Sequence, residues 1–147
     1  GGFKFMMTDQ AGEADIDFLL NTNLKSALLL ARAIIPGMKK RGFGRIVFVS
    51  SRATIQPPGA GMGAYAASKA GLNQLVLSMA EEVRSQDINV NAVLPTVIDT
   101  PANRRDMPKA DFAAWVAPAQ LAEIIFSLTQ PWGNPIHGAL IPVSGRL

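Results

Sequence analysis

The chain has no cysteine, one tyrosine, one histidine and two tryptophans among its 147 residues. Without thiols, neither a disulfide framework nor a thiolate metal site can form within it, and a reducing cytoplasm is the compartment that fits. The lone histidine, His137, has no carboxylate or second histidine close in sequence. It reads as a loop residue, and no metal is expected. Charge is sparse too: 17% of residues are ionised, 14 basic against 11 acidic, for a net +3. The basic residues are scattered. Lys39, Lys40 and Arg41 complement the dipole of a helix end, Arg104 and Arg105 fall in a loop, and no basic stripe is interleaved with aromatics. No nucleic-acid partner is expected. No uninterrupted apolar run reaches the roughly 18 residues of a membrane span, and the start lacks a basic region followed by an apolar one. No membrane partner is expected either.

What the chain does have is apolar material, 48% of its residues. That suffices for one core, hence one domain or part of one. The most informative stretch runs from Gly44 to Val83. Ile46–Val49 is a β-branched and aromatic run, as expected of a strand covered on both faces, and it stops at Ser50 and Ser51. In open parallel sheets ligands bind beyond the carboxyl ends of the strands, so Ser51 is placed where chemistry is usual. After a loop containing Pro57, Pro58 and Gly59 comes a long helix with Tyr65 and Lys69 near its start. Four residues apart, the two lie on one helix face, and an ammonium there favours a phenolate and so helps a phenol exchange protons near neutral pH. Further along, Leu72, Leu75, Val76, Met79, Ala80 and Val83 make an apolar stripe directed at a core. Ala66, Ala67, Ala70 and Gly71 allow a close approach, by a cofactor or by packing.

Asn23 upstream, Ser51 after a strand, the sequence YAASK from Tyr65 to Lys69, and a second strand ending in NVNAVLPTVIDTP from Asn89 to Pro101 occur in one order. In that order they resemble the short-chain dehydrogenase/reductase family. The resemblance implies an α/β fold, the C-terminal part of a Rossmann-like doubly wound parallel sheet with about three parallel strands and flanking helices. Residues 1–147 would be a single catalytic part of that domain, with the N-terminal cofactor-binding half absent. It also implies an NAD or NADP cofactor and hydride transfer to or from a small carbonyl or alcohol. Asn23, Ser51, Tyr65 and Lys69 would be catalytic: Tyr65 passes the proton, Lys69 favours its phenolate and bonds the nicotinamide ribose, Ser51 donates to the substrate oxygen, and Asn23 anchors a water. Tyr65, Lys69, Pro95, Thr96, Val97, Ile98 and Thr100 would contact the cofactor. Ser51, Arg52 and Met62 would contact the substrate, with Pro57 and Pro58 on the same side. Homo-oligomers through helices 23–38 and 65–83 are implied as well.

The chain departs from the family pattern in two places. Ser51 precedes Tyr65 by fourteen positions, one more than is commonest, so Ser50 and Arg52 compete for its role. Thr96 stands where Gly usually follows the Pro, which questions the backbone conformation there. The stretch from Leu94 to Trp115 is also similar to dihydropteridine reductases, an alternative for the substrate. A catalytically silent fragment that keeps only its packing surfaces is the other alternative.

The remaining segments read as ordinary punctuation. Asp9–Asn21 is expected to be a helix with Ala14, Ile16, Phe18, Leu19 and Leu20 as apolar surface, followed by a bend at Asn21–Asn23. A second helix runs to about Met38 on Leu24, Leu28, Ala31 and Ile35, with Pro36 and Gly42 as stop signals. Asn23 could cap it instead of acting in catalysis. Ala102–Val116 is expected to be a loop or flap, Ala117–Thr129 a helix opened by Pro118, and Ile88–Leu94 and Gly138–Val143 two further strands. A sheet of three such strands would leave the first with an open edge, which further polypeptide or association is expected to shield.

Overall fold

The computed structural model describes residues Gly1–Leu147. Three strands form one parallel sheet in the order β1 (Gly44–Val49), β2 (Ile88–Pro95), β3 (Leu140–Val143). β2 is central and buried at every position, which is why its sequence runs apolar with only two asparagines, Asn89 and Asn91, to break it. Those two are not misfits. Asn91 Nδ2 donates to the Ile136 carbonyl (2.8 Å), its Oδ1 accepts from Ala139 N (2.9 Å), and Asn89 Nδ2 donates to the Asn134 carbonyl (2.9 Å). They stitch the approach to β3 onto β2. His137 does the same, its Nδ1 accepting from Val90 N (3.4 Å) and its Nε2 facing the Ala80 carbonyl (2.9 Å).

Helices cover both faces. α1 (Glu13–Leu20), α2 (Ser26–Arg41) and α3 (Gly63–Val83) lie on one, α5 (Pro118–Ser127) on the other. The larger core gathers Ala31, Phe48, Leu72, Val76, Val83 and Val90; the smaller gathers Val93, Val116, Leu121, Leu128 and Val143. The α3 stripe expected from sequence is buried except for Leu75, which is partly so, with Val76 and Val83 fully inaccessible. Gly71 meets Leu24 closely: a Cβ there would stand 3.0 Å from Leu24 Cδ2, so this small residue serves helix packing.

Several expectations are corrected. The bend at Asn21–Asn23 does not occur: Asn21–Lys25 is a single π turn within one continuous helix from Glu13 to Arg41. Such a turn accommodates one extra residue and shifts the buried face. The face that packs inward is therefore Leu19, Asn23, Ala27, Ala31 and Met38, whereas Leu28, expected inside, is half-exposed beside Leu29 and Leu30. Pro36 does not stop the helix, which continues five residues beyond it; Gly42, left-handed at φ 70°, does. Read as one 29-residue helix with a mean hydropathy of 1.3 over its most apolar window, Glu13–Arg41 meets the length and composition of a membrane span. Dividing it at Asn23 hid that property. The loop expected from Ala102 to Val116 contains α4 (Pro101–Asp106), which starts one residue earlier, and a 3-10 turn at Phe112–Ala114. Thr100 caps α4 by accepting from Asn103 N (3.2 Å), with Pro101 at the first helical position.

Candidate functional site

β1 ends at Val49 and the chain continues through two buried serines with different partners. Ser50 Oγ donates to the Lys69 carbonyl (3.3 Å). Its proton is thereby committed to the α3 backbone. Ser51 caps the 3-10 turn Arg52–Thr54 by accepting from Ala53 N (3.3 Å), which uses a lone pair and leaves its O–H free to donate. Between the two serines, this favours Ser51 as a hydrogen-bond donor to a ligand.

Lys69 comes to the same place from α3. Its Nζ donates to the Val49 carbonyl (2.9 Å), and the residue is only 6% exposed. Burial holds its ammonium below the usual lysine range, because removing charge from water favours the neutral amine. No carboxylate of the chain pairs with it. Two of its three N–H donors therefore remain for another group. Tyr65, one turn earlier, is half-buried and its ring meets Phe3 edge-on at 5.0 Å.

Asn23 neither caps a helix nor faces solvent. Its Oδ1 accepts from Gly2 N (2.8 Å), and its Nδ2 donates to the Gly2 carbonyl (2.9 Å) and to Ser68 Oγ (3.0 Å). Ser68 Oγ in turn donates to the Tyr65 carbonyl (2.7 Å). Both Nδ2 protons are thus committed, so a water held by this side chain could be held only through the second lone pair of Oδ1. Gly2 and Ser68 were not singled out in the sequence. The signal for Ser68 was its place three residues after Tyr65 on the same helix face. Gly1 lies over both Asn23 and Lys69; a Cβ at Gly1 would fall 2.6 Å from Asn23 Oδ1 and 2.8 Å from Lys69 Nζ.

The loop after β2 is fastened, not strained. Thr96 has ordinary backbone angles, donates through N to the Val143 carbonyl (3.0 Å) and through Oγ1 to the Ser144 carbonyl (2.7 Å). A side chain is accommodated at this position because it bridges to the end of β3. Pro95 is buried at the end of β2, and Val97, Ile98 and Thr100 follow partly exposed. Val97 O accepts from Val116 N (2.9 Å), while the amide protons of Val97 and Ile98 go to no acceptor in the chain. Arg52 turns toward β3 and donates to Ser144 Oγ, and Met62 immediately precedes α3. Two surface recesses, of about 420 and 390 Å³, are lined by α5 with β3 and by α3 with His137; neither includes Ser51, Tyr65 or Lys69. No three His, Cys, Asp or Glu side chains lie together as a metal would require.

The donors found beyond the carboxyl ends of β1 and β2 are a lysine ammonium and a serine hydroxyl after the first and two free backbone amides after the second, with a phenol one helical turn from the lysine. That set suits ribose hydroxyls and a carboxamide, so the residues present fit the nicotinamide end of a dinucleotide. The unpaired side of β1, where Val49 is 39% exposed, borders this corner.

Comparisons with known proteins identify the family and the fold. The family model for short chain dehydrogenases matches residues 1–111. A 3-oxoacyl-acyl-carrier-protein reductase of Pseudomonas aeruginosa is 35% identical over 139 residues, covering 88% of this chain and 55% of that protein. The corresponding reductase of Thermotoga maritima is 33% identical, over 92% of this chain and 58% of that protein. The chain thus spans a little over half the length of these curated relatives. Among solved structures, a short chain dehydrogenase/reductase family protein superposes with a TM-score of 0.91 at 27% identity, over 99% of this chain and 63% of that one. An NADPH-bound short chain oxidoreductase from Pseudomonas aeruginosa gives 0.89 at 26% identity, over 100% and 62%. The chain belongs to the short-chain dehydrogenase/reductase family.

Proposed function

We propose that this chain is the catalytic part of an NAD(P)-dependent oxidoreductase acting on a small carbonyl or alcohol. The observation that carries the reading is Lys69, a buried ammonium held on the last carbonyl of β1, one turn from Tyr65 and beside a serine with a free proton.

A nicotinamide dinucleotide, when bound, supplies or accepts the hydride. The protein's own residues do the rest. Tyr65 gives its phenolic proton to the substrate oxygen in reduction and takes it back in oxidation. Lys69 stabilises the phenolate that alternates with that phenol, and its remaining N–H groups hold the ribose. Ser51 donates to the substrate oxygen as charge develops there, a contact fixed before reaction by the turn it caps. Asn23 ties the Tyr65 turn of α3 to the π turn through Ser68. The amides of Val97 and Ile98 hold the carboxamide, and Pro95, Thr96 and Thr100 shape the loop that presents them. Arg52 and Met62 border the substrate.

Association through the two long helices is part of the proposal. Leu28, Leu29 and Leu30, each about half-exposed, supply an apolar strip for a second copy, and the open edge of β1 is suited to further backbone pairing.

The test is turnover of a panel of small ketones and alcohols with NADH, NADPH and their oxidised forms, with binding of each cofactor measured separately by fluorescence. Cofactor-dependent turnover that disappears in Tyr65→Phe supports the reading. Failure to bind either cofactor sinks it and leaves a silent packing module.

A further inference from the structure

We propose that Asn73 is a positioning residue for this reaction, acting through Thr54 to hold Ser51 in place relative to the helix that carries Tyr65 and Lys69. The proposal rests on the oxidoreductase reading for its kinetic consequence, while its structural part can be measured without turnover.

Asn73 follows Lys69 by four residues and Tyr65 by eight, so the three lie along one side of α3. It is 4% exposed, between Leu72 and Val76 in the apolar stripe. A primary amide in such a place costs free energy unless its hydrogen bonds are made, and an aliphatic residue would be the default filling. Its Oδ1 has no partner, so the amide is held by its nitrogen alone. Nδ2 donates to Thr54 Oγ1 at 2.7 Å.

The direction of the relay is forced. Thr54 Oγ1 gives its only proton to the Ser51 carbonyl (2.7 Å), and the same carbonyl accepts from Thr54 N (3.2 Å). The threonine oxygen can then only accept from Asn73, which its amide nitrogen satisfies. Ser51 is thereby gripped through its carbonyl while its hydroxyl keeps a free proton. Two residues one turn apart on one side of α3 thus reach the end of β1: the backbone of Lys69 holds Ser50 and its ammonium holds Val49, and Asn73 holds Ser51 through Thr54. The chain that follows, from Ile55 to Gly63, contains two prolines and three glycines and has no helix or strand before Gly63. It offers Ser51 little support from its own side. A donor displaced by a fraction of an ångström from the reacting oxygen loses rate more than binding.

The experiment compares Asn73→Leu, Asn73→Ala, Thr54→Val, Thr54→Ser and the double variant Asn73→Ala/Thr54→Val in the full-length protein. Expected are kcat losses of about 10- to 100-fold for the Asn73 and Thr54→Val variants, with KM changed less than about threefold. Asn73→Leu refills the apolar stripe and melts at or above the wild-type temperature, so its rate loss is not unfolding. Thr54→Ser, which keeps the hydroxyl, recovers most of what Thr54→Val loses. The double variant is no slower than the worse single one, because both cut one relay. Amide exchange at Thr54 and Ile55 speeds up in Asn73→Leu while that at Ser50 does not. Multiplicative losses in the double variant, or equal changes in KM and kcat, overturn the proposal. If the wild-type protein turns nothing over, the oxidoreductase reading is what fails; unchanged exchange at Thr54 then overturns the positioning role independently.

Discussion

Lys69 Nζ sits 2.9 Å from the carbonyl of Val49, so the ammonium of α3 is pinned to the last residue of β1. Burial lowers the pKa of that ammonium from the ordinary lysine value of about 10.4. Between the lowered folded value and the unfolded one, the unfolded chain binds the extra proton, so this group's contribution to stability rises as pH increases through that window. Under the proposed function the slope of activity is opposite, since deprotonation would remove the charge proposed to favour the phenolate and to hold ribose. Stability measured by urea unfolding in the alkaline range is expected to climb more steeply in wild type than in Lys69→Met, while wild-type turnover falls as pH rises through the same window. Identical slopes in the two proteins would remove Lys69 as the source.

Tyr65 is the only tyrosine, so its substitution changes a single phenol. Tyr65→Phe keeps the ring and its edge-on contact with Phe3 but removes the proton carrier. General acid–base groups contribute on the order of 10²- to 10⁴-fold. Turnover is expected to fall within that range with melting temperature nearly unchanged. A variant that retains more than about a tenth of wild-type rate assigns the proton to another group.

Ser68 has no accessible surface and joins Asn23 to the Tyr65 carbonyl. Ser68→Ala leaves an Asn23 N–H in the interior with its second acceptor missing, and such a group costs about 1–3 kcal/mol. Chemical denaturation is expected to show that loss, with Asn23→Ala/Ser68→Ala less than additive. Full additivity would mean that the two side chains act separately.

The strands and the inner stripe of α3 were legible because each carries its own period or apolar run, and burial follows composition directly there. Tyr65 and Lys69 could be set on one helix face from their four-residue spacing, and Ser51 at a strand end, whereas grouping the three with Asn23 came from the family resemblance. Other features left no such trace. A π turn at Asn21–Lys25 has no composition of its own, and missing it displaced the apolar face of α2 onto Leu28. α4 is only six residues long, too short for a helical period to show. The pairings of Asn23 with Gly2, Thr96 with Ser144 and Asn73 with Thr54 join residues distant in sequence. The first two replaced a local reading, a cap and a questionable loop, with a tertiary hydrogen bond; the third fell on a residue for which the sequence suggested no role.

Gly145 governs how the chain after β3 meets the segment after β2. It has φ 60°, and a Cβ there would lie 2.5 Å from the Ala114 carbonyl oxygen, a backbone atom that cannot swing away. The same carbonyl accepts from Arg146 N at 2.9 Å. Gly145→Ala must therefore both adopt a left-handed conformation that a side chain disfavours and open the Ala114–Arg146 bond. The two effects together are expected to cost about 1–3 kcal/mol. Because Thr96 holds neighbouring Ser144 and Arg52 also bonds it, the disturbance should pass to the loop at Pro95–Thr100. Cofactor affinity is expected to fall several-fold in Gly145→Ala, and faster amide exchange at Thr96 would locate the cause. A Gly145→Ala protein with wild-type melting temperature would show that the chain end is free to move aside and takes no part in shaping that loop.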